Sequence, residues 1–149
     1  MSEFDLQTSR TLENLKAAFA ADCQDAARHR YFATRADLEG QLSASMLFRA
    51  AKEGQSSRAQ GHLDFLSAVS DPVTRLPIGT TEENLRAAIS RTTYEGETMY
   101  VAFAKTAREE GFDSVADWFE SLAAAERELE HHFKQALAKL GPSDDDAAE

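Results

Sequence analysis

The sequence predicts an all-α protein, a four-helix bundle made from two copies of one helix pair. Residues 11–18 (TLENLKAA) recur as residues 81–88 (TEENLRAA), and a Glu-Gly pair recurs at positions 39–40 and 110–111. Apolar residues follow helical spacing through four long segments, and no segment keeps the period-two alternation of a strand. Bundles with such a pseudo-twofold repeat often hold two metal ions between inward carboxylates and histidines.

The first predicted pair comprises helices A and B. Helix A should run from an N-cap at Thr11 to about Leu38, with Gly40 ending it, and helix B from about Leu42 to Ala68. The residues predicted to face inward are Leu12, Leu15, Phe19, Ala26, Ala33 and Ala36 in helix A, and Leu47, Phe48, Ala51, Phe65 and Leu66 in helix B.

A long crossover separates this pair from helices C and D. Residues 70–79 contain two of the three prolines and form the longest irregular stretch, so helices B and C need not be antiparallel neighbours. Helix C should begin at a Thr80/Thr81 cap and end before Gly111, and helix D should run from about Asp113 to Leu140, where Gly141 and Pro142 end it. The residues predicted to face inward are Leu85, Ala88, Met99 and Phe103 in helix C, and Val115, Phe119, Leu122, Phe133 and Leu137 in helix D. The predicted organisation is a polar lead (1–10), the bundle (11–140) and a disordered acidic tail (141–149).

Charge and composition exclude several functions. The chain of 149 residues has a net charge of −10 and a pI near 4.8, which argues against binding nucleic acid or an anionic membrane surface. The acidic first residues lack a signal-peptide pattern and no apolar run is long enough to span a bilayer, so we expect a cytoplasmic protein. The single cysteine, Cys23, excludes an internal disulfide and a thiolate metal cluster.

At a similar depth in all four helices, a layer of inward positions interrupts the rows of inward apolar residues. We expect a functional site to lie in this layer. Its members are Asp22 and His29 in helix A, Gln55 and Arg58 in helix B, Thr92 and Glu95 in helix C, and Glu126 and Leu129 in helix D. The duplication pairs Asp22 with Thr92, Gln55 with Glu126, and Arg58 with Leu129. A dinuclear carboxylate site takes one bridging carboxylate from each of A and C and a Glu-x-x-His motif from each of B and D.

Several segments resemble a known family. They are residues 11–19, 61–66 (GHLDFL), 71–79, 99–100, 106–113 (TAREEGFD) and 116–120 (ADWFE). From about Thr11 to Leu140 the chain resembles the ferritin-like domain of the rubrerythrins, in the form without a C-terminal rubredoxin module. The resemblance implies a ferritin-like bundle with two non-haem iron ions that reduces peroxide, as a dimer or a larger assembly.

The layer departs from the ligand set that the resemblance implies. Asp22 stands in place of a glutamate, and Gln55 with Arg58 in place of the helix-B Glu-x-x-His motif. Thr92 replaces the helix-C glutamate and Leu129 the helix-D histidine, so that both imidazoles are lost. The carboxylates that remain in this former ligand layer are Asp22, Glu95 and Glu126.

The interpretation of this layer depends on the permanent positive charge of Arg58. A guanidinium stays protonated in proteins and does not ligate iron, whereas it can neutralise buried acids. We therefore expect Arg58 to fork between Asp22, Glu95 and Glu126 in a metal-free polar core, with no cofactor and no catalytic residue. The lost ligands argue against an enzyme.

Other readings of the layer stay open. Asp22, His29, Arg58, Glu95 and Glu126 could line a cavity reused for a small ligand or an atypical metal, and the three acids alone could hold one hard cation. Residual peroxide reduction is the alternative that these residues support least. His29 is expected to be a hydrogen-bonded core residue.

Three further histidines are kept out of the layer. His62, one turn beyond Arg58, belongs to a motif that the family also has, so it is not diagnostic. His131 and His132 are expected to lie at or near the surface because they follow Leu129 by two and three residues.

For function, the sequence predicts a degenerate diiron protein that acts as a structural or partner-binding protein. The expected partner is a second copy in a homodimer, and a related rubrerythrin-type subunit or another protein is the further possibility. The long crossover is compatible with helices exchanged between chains as well as with a self-contained bundle.

Overall fold

A computed structural model describes residues 6–141, and over that range the chain forms helices and no strand. The all-α prediction is confirmed. The chain divides into two compact units, Met1–Pro72 and Val73–Glu149, so each unit holds one of the two predicted helix pairs. Residues 1–5 of the predicted lead, Pro142 and the rest of the predicted tail lie outside the described residues.

The first unit is an antiparallel pair of helices, α1 (Arg10–Leu38) and α2 (Leu42–Leu66). The predicted N-cap at Thr11 is wrong, because the hydroxyl of Ser9 accepts a hydrogen bond from the Leu12 amide at 3.1 Å and begins the helix two residues earlier. The end at Gly40 is confirmed. This residue has a φ of +72°, and the Gln41 amide donates to the Ala36 carbonyl as in a Schellman motif.

The second unit contains α3 (Thr81–Tyr94), a π-helical segment (Glu95–Met99), α4 (Tyr100–Glu109) and α5 (Asp113–Lys139). Thr80 caps α3, which confirms the predicted Thr80/Thr81 cap, and it forms a capping box with Glu83. Gly111 repeats the Schellman geometry of the first unit, with a φ of +83° and a hydrogen bond from the Phe112 amide to the Ala107 carbonyl.

Two predicted boundaries need correction. Helix B was expected to reach Ala68, but α2 ends at Leu66 and the next residues form a turn. Helix C was expected to be continuous, but the π-helical segment separates α3 from α4.

The π-helical segment accounts for a shift in the sequence repeat. Asp22 corresponds to Thr92, 70 residues later, whereas Gly40 corresponds to Gly111, 71 residues later. One residue has therefore been inserted between Thr92 and Gly111. A π-helical turn accommodates one extra residue within a helix that otherwise continues, and the segment lies inside this interval.

Small side chains form most of the buried apolar core. The buried apolar residues among those described are Leu12, Ala33, Ala36, Ala59 and Leu66 in the first unit and Ala87, Ala104, Ala107, Ala116 and Ala123 in the second. Alanine at a helix seam allows close packing of the backbones but buries little apolar surface per residue.

Several large side chains that were predicted to face inward are exposed, which corrects that part of the core prediction. They are Leu47, Phe65, Phe103 and Val115. A pair of helices buries only the side chains along its own seam, so residues on its other faces need a further layer of structure to cover them. Within the described residues, no helix is both long enough and apolar enough to cross a bilayer.

Candidate functional site

The first half of the predicted layer centres on Asp22, which is buried between α1 and α2. Arg58 on α2 donates to the Asp22 Oδ1 atom from Nη2 at 2.9 Å and from Nε at 3.3 Å. His62, one turn further along α2, places Nε2 at 2.9 Å from Oδ2, and this nitrogen donates because a carboxylate oxygen accepts. Both oxygens of Asp22 are therefore hydrogen-bonded.

These contacts stabilise the charged form of Asp22. The hydrogen bond from Arg58 lowers the pKa of the Asp22 carboxyl below its ordinary value, against the opposing effect of burial, and His62 lowers it further. Asp22 in turn raises the pKa of Arg58. At neutral pH the two side chains form an ion pair, in which Asp22 is buried and most of Arg58 remains exposed.

His29 and Gln55 form a second contact between α1 and α2. Nδ1 of His29 lies 2.7 Å from Oε1 of Gln55, and because an amide oxygen accepts, the imidazole donates. The His29 ring stacks near Phe48 with centroids 5.9 Å apart. The structure thus shows His29 as a hydrogen-bonded residue packed on aromatic rings, and it pairs the histidine with a layer residue that the sequence analysis did not connect to it.

His62 is the residue that sequence reasoning missed. It follows Arg58 by four residues, which places both on one face of α2, and that spacing was the available signal. Its place in the family segment 61–66 did not indicate which side chain it would contact. Only the packing of α2 against α1 brings it to Asp22.

The second half of the layer lies in the second unit. The Thr92 hydroxyl donates to the backbone carbonyls of its own helix, 3.0 Å from that of Ala88 and 3.1 Å from that of Ile89. Arg91 donates to the Glu95 carboxylate from the preceding turn. Leu129 is 41% exposed.

Glu126 differs from the other acids of the layer. It is half-buried, and within residues 6–141 no side chain donates a hydrogen bond to it. Burial raises the pKa of Glu126, and the nearby charge of Glu95 raises it further, while Arg91 opposes the shift. Among residues 6–141, the second half thus contains a carboxyl group to which no cationic side chain is hydrogen-bonded.

The structure brings together only part of the predicted layer. Asp22 meets Arg58, His29 meets Gln55, and Glu95 influences Glu126. A fork from Arg58 to Glu95 and Glu126 stays a prediction. His131 and His132 are exposed, as expected, and Cys23 is exposed as well.

Sequence comparison identifies the family. A family profile described as rubrerythrin matches residues 13–137, most of the chain. The chain belongs to the rubrerythrin family. The Rubrerythrin-1 of Clostridium acetobutylicum is 33% identical over 146 residues, which cover 91% of this chain and 73% of that relative.

Two further rubrerythrins show comparable similarity. That of Porphyromonas gingivalis is 35% identical over 139 residues, covering 91% of this chain and 70% of its own length. That of Nitratidesulfovibrio vulgaris is 33% identical over 132 residues, covering 86% of this chain and 69% of its own length. The resemblance expected from the sequence is confirmed for the family and its helical fold.

The rubrerythrin resemblance implies two iron ions, but the donor set in this chain does not fit them. Arg58 and Leu129 have no lone pair to offer a metal, and Gln55 already accepts from His29 through its amide oxygen. Both oxygens of Asp22 are bonded to Arg58 and His62. Within the part of the chain that the structure describes, no three His, Cys, Asp or Glu side chains are grouped as a metal site would require.

Proposed function

We propose that this rubrerythrin-family chain is a metal-free member that acts as a structural or partner-binding protein rather than as a peroxidase. One observation carries the proposal: Arg58, at the position where the resemblance implies a histidine ligand, donates to Asp22 instead. The buried carboxylate thus has a permanent cation beside it without any metal.

Electrostatic repulsion explains why this arrangement disfavours iron binding. A divalent ion bound to Asp22 would lie against the Arg58 guanidinium, whose positive charge cannot be removed by deprotonation. Metal binding would therefore require Arg58 to leave Asp22 and move away from the site. That movement breaks a charge-assisted hydrogen-bonded pair, and the metal would gain no nitrogen ligand in exchange.

Metal content is the direct test. We expect near-zero iron per chain, by elemental analysis, in protein purified without chelator and again after anaerobic incubation with ferrous iron. One or two tightly bound equivalents would overturn the proposal, and peroxide consumption by the iron-loaded protein would make the peroxidase reading the better one.

A restoring variant makes the test sharper. Arg58→His combined with Gln55→Glu and Leu129→His returns the family's donor types to the layer, and we expect it to take up iron where the wild type does not. Arg28→His is the matched control, since it also exchanges an arginine for a histidine but at an exposed position of α1. If wild type, control and triple variant all bind iron equally, the layer is not what determines metal binding.

A second candidate function is supported by Glu126. Its half-buried carboxyl group accepts no hydrogen bond from the described residues, so a small cationic ligand or an atypical metal beside Glu95 and Glu126 would supply the compensating positive charge. Titration calorimetry with manganese(II), on wild type and on Glu126→Gln, tests this reading. Binding that Glu126→Gln abolishes would favour it over a structural role.

A further inference from the structure

The tip of the first helix pair exposes a group of large apolar side chains, Leu38, Leu42 and Met46. Leu38 is the last residue of α1, and Leu42 and Met46 lie in the first two turns of α2. Their exposed fractions are 72%, 68% and 63%. Only residues 39–41 separate the two helices, so the three side chains lie at the same end of the pair. They are called the tip surface below.

The tip surface is separate from the exposed α2 residues Leu47 and Phe65. Successive residues of an α-helix are rotated by about 100°, so Leu42 and Leu47, five residues apart, point about 140° away from each other. Leu42 and Arg49 are seven residues apart and share a face, and Arg49 forms an ion pair with Asp37 of α1. A chain packed on Leu47 and Phe65 would therefore leave the tip surface open.

The second helix pair shows that the fold does not need apolar side chains at these positions. The repeat offset of 71 residues places three acids there: Glu109, Asp113 and Asp117. Both tips nevertheless form the same turn, with a left-handed glycine at position 40 or 111. Because the second tip folds with acids, the apolar residues of the first tip indicate a surface that binds something.

The two tips also carry opposite charge. Residues 28–52 contain five basic and two acidic residues, a net charge of +3, whereas the equivalent residues 99–123 contain two basic and five acidic residues, a net charge of −3. Even the ion pair is reversed, since Asp37 with Arg49 in the first tip corresponds to Arg108 with Glu120 in the second. The first tip is thus a basic region in a chain whose net charge is −10.

Two arginines near the tip surface are available to an outside acid. Arg35 and Arg30 precede Leu38 by about one and two helical turns, and both are exposed. Within residues 6–141 neither side chain forms an ion pair, unlike the neighbouring Arg28 and Arg49, which pair with aspartates. An exposed guanidinium without a partner can bind a carboxylate through two parallel hydrogen bonds.

We propose that the tip surface binds an acidic protein segment whose carboxylates alternate with large apolar side chains, as in an acidic amphipathic helix. The apolar side chains of the segment cover the tip surface, and its carboxylates pair with Arg30 and Arg35. Met46 suits such a surface because an unbranched thioether side chain adapts to the shape of its partner. The inference deepens the partner-binding part of the proposed function and rests on it.

The experiment measures binding of a labelled peptide to the full-length chain by fluorescence anisotropy. The peptide has about 18 residues, with leucines at helical spacing and glutamates at most other positions, and a second peptide has lysine in place of every glutamate. We expect saturable binding of the glutamate peptide, with a dissociation constant about tenfold or more below that of the lysine peptide.

A pair of double variants tests whether the tip surface is the binding site. Leu42→Asp with Met46→Asp introduces the residues that the second tip has at these positions, so the variant should fold, and we expect about tenfold or weaker binding of the glutamate peptide. Ser56→Asp with Gln60→Asp is the matched control. It adds the same two charges at exposed positions four residues apart, about four turns further along α2, and should bind like the wild type.

A charge reversal provides a gain of binding as well as a loss. Arg30→Glu with Arg35→Glu keeps the tip surface and reverses the charge beside it. This variant should bind the lysine peptide in preference to the glutamate peptide, which a loss of folding would not produce.

Five outcomes overturn the proposal. Three concern the peptides: no saturable binding of the glutamate peptide up to about 1 mM, equal binding of both peptides, or equal binding by wild type and by Leu42→Asp with Met46→Asp. Preferential binding of phosphatidylglycerol vesicles would assign the tip surface to a membrane instead. A change in the assembly size of the chain itself in Leu42→Asp with Met46→Asp would assign it to a second copy.

Metal analysis of the same wild-type sample separates this inference from the proposed function. A metal-free chain that does not bind the glutamate peptide would overturn the inference and leave the metal-free role intact. A chain that binds iron tightly and still binds the peptide at the tip surface would overturn the metal-free role and support the docking site.

Discussion

Asp22 and its two partners determine the chemistry of the first unit at the scale of single residues. Arg58 donates to both oxygens of Asp22 and His62 donates to Oδ2, so removal of one donor leaves the other in place. Arg58 is mostly exposed, which means that its contribution within one chain is screened by water. We therefore expect loss of the Asp22 charge to affect the unit more than loss of either donor.

Asp22→Asn should lower the thermal stability of the protein at neutral pH. Because the folded-state pKa of Asp22 lies below its unfolded value, the ionised carboxylate adds stability above the unfolded pKa of about 4. That contribution is lost as the pH falls through the lower folded-state pKa. Wild type and variant should thus differ in melting temperature at pH 7 and converge in strong acid, as followed by circular dichroism.

Asp25→Asn is the matched control for this prediction. Asp25 lies on the same helix, but it pairs with Arg28 within one turn and at the surface. We expect a small, nearly pH-independent effect, because exposed pairs of this kind contribute little. An Asp22→Asn protein that melts like the control at every pH would show that the Asp22–Arg58 pair does not stabilise the fold.

The π-helical segment is the feature that matters most at the scale of elements. Its Gly96 approaches α5 so closely that an added Cβ would lie 3.2 Å from the Arg127 nitrogen and 3.3 Å from the Ala123 carbonyl oxygen. Arg127 also donates from Nη1 to the Gly96 carbonyl at 2.8 Å. The π-helical segment is thus joined to α5 at Gly96.

Gly96→Ala should destabilise the protein by about 1–3 kcal/mol, because α5 must move to admit the methyl group. Gly54→Ala provides the control, since an added Cβ at this helical position meets nothing within 4 Å. Alanine there should stabilise by about 0.5–1 kcal/mol through helix propensity alone. Urea unfolding of both variants distinguishes steric crowding at Gly96 from the effect of helix propensity. If Gly96→Ala and Gly54→Ala have equal free energies of unfolding, α5 is not tightly packed against Gly96.

At the scale of the whole molecule, each unit exposes large apolar side chains that the seam between its own helices does not cover. Trp118 is the largest exposed side chain of the second unit, and aromatic anchors of this kind often dominate binding energy at interfaces. Its equivalence to Leu47 in the repeat means that both units expose an apolar residue at the same position.

In the homodimer that the sequence analysis expects, Trp118→Ala should weaken dimerisation by about tenfold or more, measured as the dissociation constant in sedimentation equilibrium. Tyr31→Ala is the control, because Tyr31 is an equally exposed aromatic residue on the side of α1 opposite to Asp22. We expect its dissociation constant to match that of the wild type. An unchanged constant for Trp118→Ala would exclude this part of α5 from the interface.

Local signals in the sequence were sufficient for the features that depend on neighbouring residues. The capping box of Thr80 and Glu83, and the glycines at positions 40 and 111, were all predictable because caps and left-handed residues act within a few positions of the chain. The family also followed from the sequence, since its motifs extend over most of the helices. Even the π-helical segment had a signal, the change of repeat offset from 70 to 71, which helical periodicity alone does not reveal.

What the sequence by itself determined is therefore the helical fold, its duplication and the family. Only the tertiary structure decided that His62 joins Arg58 on Asp22, that His29 binds Gln55, and that Leu47 and Phe65 are exposed. The physical reason is that helical periodicity specifies which residues share a face, but not what lies opposite that face. Partners and burial depend on packing between helices, and residues distant in the chain determine them.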